Sequence, residues 1–316
     1  MISFSIITPT YNRKNIIYRC IKSIALQGYE GVEHIIIDDG SSDDTENEVL
    51  KLQKNFSKSD IKYIKLPQNL GVNRARNKGI LCAKNNFVIF LDSDDYLKNN
   101  ALFKINEYIE KNKGYLHYLF LTDDIEKNHA KNPIIKKKTY QLHFFDWLSG
   151  KISGDFVNVM EKNYLSKILF PDDLRIYEGV NFLRLFKASK KQLFIKEVII
   201  IRERNREDSL SKEYIVNNKK ALYTAYLYHK KSIEWFYFDY IHFNLKTILI
   251  KKINKAIRLS IAIGKYDESI IFIKKLSALN INTAIFKLIT KLRLGEIVKY
   301  SIYLKNMLIK ISLKTL

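Results

Sequence analysis

A chain of 316 residues with 47% hydrophobic content can bury a sizeable core without staples. Its two cysteines, Cys20 and Cys82, fall in apolar helical patterns rather than in CxxC or Cys/His spacing, which argues against disulfides and zinc and fits a reducing cytoplasm. The formal charge of +21 leaves anionic lipid, nucleic acid and acidic substrates open, because charge alone does not choose among them.

Met1 leads directly into a strand pattern, with neither a basic start nor a small-residue cleavage site, so no signal peptide is expected. No apolar run reaches ~18 residues, so no spanning helix is expected either. Ser3–Thr8 reads as a strand, and Pro9, Thr10, Tyr11 and Asn12 turn into a helix from about Lys14 to Gln27, where Ile16, Ile17, Cys20, Ile21, Ile24 and Ala25 recur at helical spacing. Val32–Ile37 is a second strand ending in Asp38 and Asp39, followed by a helix from about Asp43 to Lys54. Ile61–Leu66, a loop with Asn69 and Gly71, and a helix over Val72–Lys84 come next. Phe87–Leu91 is apolar without alternation, the mark of a strand buried on both faces. It stops at Asp92, Ser93, Asp94 and Asp95, with a helix expected to begin near Leu97.

This alternation predicts an α/β fold with a doubly wound, mostly parallel, Rossmann-like sheet. The loops TPTYNR, DDGSSDDT and DSDD then converge at the carboxyl edge, where open α/β sheets bind ligands. Neither GxGxxG nor GxxxxGK[ST] is present, so a bound nucleotide would need a metal and basic side chains. Asp92, Asp94 and Asp95 suit a hard cation, although Asp94 or Asp95 also reads as a helix cap. Arg13, Arg74 and Arg76 suit the anion, and each also reads as an exposed helix-face residue.

Further on, Tyr115–Thr122 is a strand ending in Asp123 and Asp124, and Glu126–Lys138 is a polar, basic surface excursion. Phe144, Phe145, Trp147 and Leu148 mark a short apolar helix in which Trp147 either stacks on a sugar or belongs to the core. Asp172 and Asp173 precede Glu178 and Gly179, which open another helix. Val198–Arg202 is a strand, and Arg202, Arg204 and Arg206 precede Asp208-Ser209-Leu210-Ser211.

After Lys212 helical patterns take over, which sets domains at 1–212 and 213–316. From Val216 to Leu316 there are 19 Lys and Arg against 5 Asp and Glu. One apolar stripe joins Leu245, Ile248, Leu249, Ile253, Ala256 and Ile257, and another joins Ile297, Leu304, Leu308 and Ile311. Gly264 and Gly295 sit in similar helix breaks and hint at hairpin repeats. Such lysine-rich helices suit either attachment to an anionic membrane surface or packing and oligomerisation. A nucleic-acid role is disfavoured, because no recognition module is present.

Thr8–Arg13, Ile37–Thr45, Asn69-Leu70-Gly71 with Ala75-Arg76-Asn77, and Leu91–Asp95, in this order and spacing, resemble the signature of the family 2 glycosyltransferases of the GT-A fold. The resemblance covers about residues 1–210 and is strongest before Leu97. It implies an inverting, metal-dependent transfer from a nucleotide-sugar donor, UDP-linked, to a bacterial glycan acceptor, undecaprenyl-linked, by an enzyme peripheral on the inner face of the cytoplasmic membrane. Pro9, Tyr11 and Asp39 would contact uracil or its ribose, with Asp38 close by. Asp92 and Asp94 would hold Mg or Mn on the diphosphate, with Asp95 beside them, and Arg206 stands where the family has a diphosphate contact. Glu178 matches the first acid of the pair that supplies the base, but Gly179 replaces the second, which leaves Asp172 or Asp173 as alternative bases. That departure also leaves open a non-catalytic scaffold that only binds the nucleotide sugar.

Overall fold

The computed structural model describes residues 1–124, 132–174, 178–203 and 219–303. It divides into two compact units, Met1–Asn205 and Arg206–Leu316.

The first unit is a mixed α/β sandwich. Strands β1 (Phe4–Thr10), β2 (Val32–Asp38), β3 (Asp60–Lys65) and β4 (Phe87–Phe90) alternate with helices α1 (Ile17–Ala25), α2 (Thr45–Asn55) and α3 (Val72–Cys82). They form the parallel half of the sheet in the order β3-β2-β1-β4. Strand β1 shows why the apolar runs do not alternate. Phe4 and Ile6 face one core cluster with Cys20 and Ile24, while Ile7 faces another with Ile35, Ala75 and Ile80. Both faces are covered by helices, so every residue of the strand is buried.

The other half departs from simple alternation. Tyr96–Leu97 forms a two-residue strand, β5, antiparallel to Ile200 and Ile201, and helix α4 starts only at Ala101 (Ala101–Lys111). The helix expected near Leu97 is delayed because Leu97 is buried in the first core cluster and its neighbours are taken into the sheet. Strand β6 (His117–Thr122) is followed by β7 (Thr139–His143), α5 (Phe144–Leu148), β8 (Val157–Glu161), α6 (Lys162–Leu165), α7 (Gly179–Ala188) and β9 (Lys191–Ile201). Strand β8 runs antiparallel between β4 and β6, and β9 is parallel to β6. The sequence pattern missed β5, β7, β8 and the first half of β9. TYQLH is a mostly exposed edge strand and VNVME is short, so neither carries a long apolar run. The excursion expected over Glu126–Lys138 lies partly outside the described residues. Its remainder includes a short 3-10 turn over Pro133–Lys136.

A polar triad crosses this core. His117 is fully buried, with Nε2 2.8 Å from Asn158 Oδ1 and Nδ1 2.8 Å from the Tyr164 hydroxyl. Burial pushes its imidazole down to about 4, against the Asn158 bond, which favours the charged form. The unfolded state therefore takes up a proton that the folded state refuses. The stability this contributes is complete above pH 6.5 and is lost as the pH falls toward 4, at about 1.4 kcal/mol per pH unit. The expected result is that the gap in urea midpoint between wild type and His117→Asn narrows as the pH is lowered from 7 to 5.

The second unit comprises helices α8 (Lys219–His242), α9 (Lys246–Ala262), α10 (Tyr266–Ser277) and α11 (Ala284–Lys291), with a further helical segment over 295–303. Asn244, Gly264 and Arg293 each take a left-handed φ of 56°, 80° and 52°. The following residue in each case bonds back across the turn, Leu245 to Tyr240, Lys265 to Ser260 and Leu294 to Ile289. This is the Schellman arrangement that ends a helix and satisfies its last carbonyls. The turn after α11 therefore rests on Arg293, not on Gly295. Gly295 is small for a different reason, since an added Cβ would lie 2.7 Å from the Ile261 carbonyl oxygen. The stripe along α9 is interior: Leu249, Ile253, Ala256 and Ile257 are fully buried where α9 packs on α8 and α10. Among the described residues no helix is long and apolar enough to cross a membrane.

Candidate active site

The carboxyl edge of the parallel strands is built by interlocked loops. Asn12, at a left-handed φ of 52°, accepts the Ser42 and Asp43 N–H groups on its side-chain oxygen at 2.9 and 3.3 Å. Its own N–H donates to Ser41 Oγ at 2.8 Å, and the Arg13 N–H donates to Thr45 Oγ1 at 2.8 Å. Asp38 is buried, accepting the Ser41 N–H at 2.7 Å and the Tyr63 hydroxyl. Asp39 accepts the Leu70 and Gly71 N–H groups at 2.7 Å each, so it holds the loop that starts α3. Gly40 allows this closeness: its φ is +76° and an added Cβ would lie 2.6 Å from the Gln68 carbonyl carbon. Pro9 is buried in β1, opposite Ile37 of β2. Tyr11 is exposed at the rim, and Arg13 donates from its guanidinium to the Asn12 carbonyl at 3.2 Å.

At the end of β4 the Asp95 N–H bonds to the Asp92 carbonyl at 3.0 Å. That turn folds Asp92, Asp94 and Asp95 together, with one carboxylate oxygen from each within 4.8 Å of the others. Burial first, then the Asp92 and Asp94 charges, pushes the Asp95 carboxyl up to about 8, against the pull of Arg202 and the Glu203 N–H. Three convergent oxygen donors under mutual repulsion fit a hard divalent cation, whose charge would relieve it.

Arg76 joins this cluster to the opposite wall. Its guanidinium is buried on α3, with one arm 3.3 Å from Asp92 Oδ1 and the other on Glu178 Oε2. The rings of Phe90 and Phe170 flank it at 5.5 and 5.8 Å. Burial opposes the charged form, but Glu178 and Asp92 outweigh it and hold the guanidinium above its ordinary pKa. The wall itself is tied to α3. Asn77 exchanges two 2.8 Å bonds with the Phe170 backbone, and Asn73 donates to the Pro171 and Leu174 carbonyls. Asp172 pairs with Arg74 at 3.1 Å, and Asp173 is exposed on the same turn. Glu178 precedes α7, 26% exposed, and its second oxygen has no partner among the described residues. Beside it, a Cβ added to Gly179 would meet nothing within 4 Å, so packing does not demand glycine there. Gly179→Asp is expected to fold and to raise stability by about 1 kcal/mol, through helix propensity and the helix dipole, read as a higher urea midpoint.

The structure thus brings together Arg76, Asp92, Asp94, Asp95 and Glu178, and sets Arg74 with Asp172 beside them. Arg206 lies outside the described residues. Trp147 is half-buried and packs inward: its ring stacks on Phe186 at 4.0 Å and its N–H donates to Gln192 at 2.9 Å. The sequence pattern does not single out one further residue at this edge. Arg202, at the end of β9, reaches Asp155 at 2.5 Å, Asp124 at 3.5 Å and Asp95 at 3.9 Å, while its backbone N–H donates to Asp123 at 3.0 Å. The available signal was that Asp123, Asp124 and Arg202 all end predicted strands; the parallel pairing of β6 with β9 makes them neighbours.

Residues 5–169, just over half the chain, match the family model described as Glycosyl transferase family 2. The chain belongs to glycosyl transferase family 2. It is accordingly a glycosyltransferase. Over 233 residues it is 35% identical to the GalNAc(5)-diNAcBac-PP-undecaprenol beta-1,3-glucosyltransferase of Campylobacter jejuni, covering 72% of each chain. Over 114 residues it is 36% identical to the Escherichia coli UDP-Glc:alpha-D-GlcNAc-diphosphoundecaprenol beta-1,3-glucosyltransferase WfaP, covering 36% of this chain and 44% of that protein. Among solved structures, S. aureus TarS 1-349 in complex with UDP-GlcNAc superposes with a TM-score of 0.61 at 19% identity, covering 73% of this chain and 66% of that one. A mannosyltransferase from Pyrobaculum calidifontis, in complex with GDP-Man and Mn2+, superposes with a TM-score of 0.59 at 14% identity, covering 97% and 87%. The family 2 chain therefore has the GT-A fold.

Proposed function

We propose that this family 2 glycosyltransferase transfers a sugar, with inversion, from a UDP-sugar to a glycan carried on undecaprenyl diphosphate. The observation that carries the reading is Arg76, whose buried guanidinium holds the acidic cluster and Glu178 on two sides of one site. The donor and acceptor classes rest on the relatives in Campylobacter and Escherichia coli, whose names specify undecaprenol-linked acceptors and, for WfaP, UDP-Glc.

Asp92, Asp94 and Asp95 hold Mg or Mn in this reading, and Pro9, Tyr11, Asp38 and Asp39 frame the pocket for the base and ribose. The cation would stabilise the charge that grows on the nucleoside diphosphate as the anomeric bond breaks. Glu178 takes the proton of the acceptor hydroxyl on its second oxygen, which has no partner among the described residues, as the new glycosidic bond forms. Arg74, Arg13 and, beyond the described residues, Arg206 supply positive charge for the diphosphate. A second reading, a scaffold that binds the nucleotide sugar without turnover, is favoured only by Gly179.

The test is release of nucleoside diphosphate from a panel of donors, with and without Mn, for wild type and Asp94→Ala. Cation-dependent release with a UDP-sugar, lost in Asp94→Ala, is expected. Release that needs no metal and is unchanged in the variant overturns the mechanism, and tight UDP binding without turnover selects the scaffold.

A further inference from the structure

With the α9 stripe buried, an apolar face on α11 has no partner among the described residues of its unit. Ile285 and Leu288 on α11 are 72% and 57% exposed, and Leu292, which caps its C-terminus, is 55% exposed; the buried side chain of the helix is Thr290. At 3.6 residues per turn the three fall within an arc of about 60°, nearly opposite Thr290. Lys291 borders the arc. The next segment repeats the pattern, with Ile297 and Tyr300 exposed three residues apart and Lys299 between them. Three aliphatic side chains on one face over about two turns are more than scattered surface residues, and they mark a docking surface.

Charge selects the occupant. From Val216 to Leu316, 19 Lys and Arg stand against 5 Asp and Glu, so a second copy of this basic region would be repelled and an anionic surface attracted. Aliphatic side chains bordered by lysine are the composition of a helix lying at a lipid headgroup boundary. We infer that the α11 face, Ile285, Leu288 and Leu292, is seated on the surface of an anionic bilayer, with Lys291 at its border meeting the headgroups. The helix lies in the interface and does not cross it. The other stripe expected from the sequence continues through Leu304, Leu308 and Ile311, which lie outside the described residues.

The test is flotation of the full-length protein with vesicles of phosphatidylglycerol and phosphatidylethanolamine, and with phosphatidylcholine vesicles as the neutral control. Neither donor nor acceptor is present, so the outcome is separate from that of the transfer assay. Wild type is expected to float with the anionic vesicles and to lose binding as salt is raised. Ile285→Ser/Leu288→Ser/Leu292→Ser is expected to weaken partition by about tenfold or more, and Lys291→Glu to weaken it several-fold. The replaced side chains are exposed, so an unchanged circular dichroism spectrum and melting temperature accompany both variants. Flotation that survives the triple substitution overturns the assignment. So does a dimer in sedimentation velocity that the same substitutions dissolve while wild type ignores vesicles.

Discussion

Arg76→Lys is expected to lower kcat on the order of 100-fold, because an ammonium is a point charge and cannot hold Asp92 and Glu178 at once. The guanidinium is planar and reaches two carboxylates from a buried seat between Phe90 and Phe170. Loss of either contact lets the acidic cluster or Glu178 drift relative to the other. Arg76→Ala removes both contacts. Removing one partner of a fully buried ion pair costs about 3–5 kcal/mol. Here Asp92 and Glu178 keep some access to water, 53% and 26%, so the loss is expected nearer 2 kcal/mol. Turnover and urea midpoint measured together separate the two effects. An Arg76→Lys enzyme with wild-type kcat would show that the bridge is only structural.

Glu178→Gln is expected to reduce kcat by about 100- to 10,000-fold, the range for loss of a general base, with little change in the KM for donor. The amide is nearly isosteric and its oxygen still accepts from Arg76, so geometry survives while basicity goes. Release of nucleoside diphosphate in the presence of acceptor checks this. A variant within threefold of wild type moves the role to Asp172 or Asp173, of which Asp172 is already engaged by Arg74. Adding Gly179→Asp to the Gln variant uses the open space beside it. Recovery of turnover there would mean that the space lies against the acceptor hydroxyl.

The parallel half of the sheet was legible because β1, β2 and β4 are buried on both faces, and such burial favours apolar residues without alternation, even with Ser5, Thr8, Glu33 and His34 buried among them. The acids that end β2 and β4 were legible for the same reason, since each set breaks an apolar run abruptly. Strands β7 and β8 were not, because an edge strand and a short strand do not need long runs. Trp147 shows the ambiguity of an aromatic residue in an apolar helix, resolved only by the ring of Phe186 against it. In the second unit, helical periodicity found the α9 stripe but could not say which surface covers it. Gly264 correctly marked a turn, whereas Gly295 answers to a close backbone approach and the turn falls to Arg293.

The amino-acid order alone determined the family motifs, the strand ends that carry acid and the concentration of positive charge in the last third, because these are local in the chain. Only the tertiary structure decided that Arg76, 16 residues before Asp92 and 102 before Glu178, joins them at one site. It also decided that Arg202 closes on Asp95, Asp124 and Asp155, and that the apolar face left open is on α11 rather than α9. Each depends on which elements pack together, and contacts between residues far apart in the chain are settled by burial of the whole rather than by the pattern of any one segment.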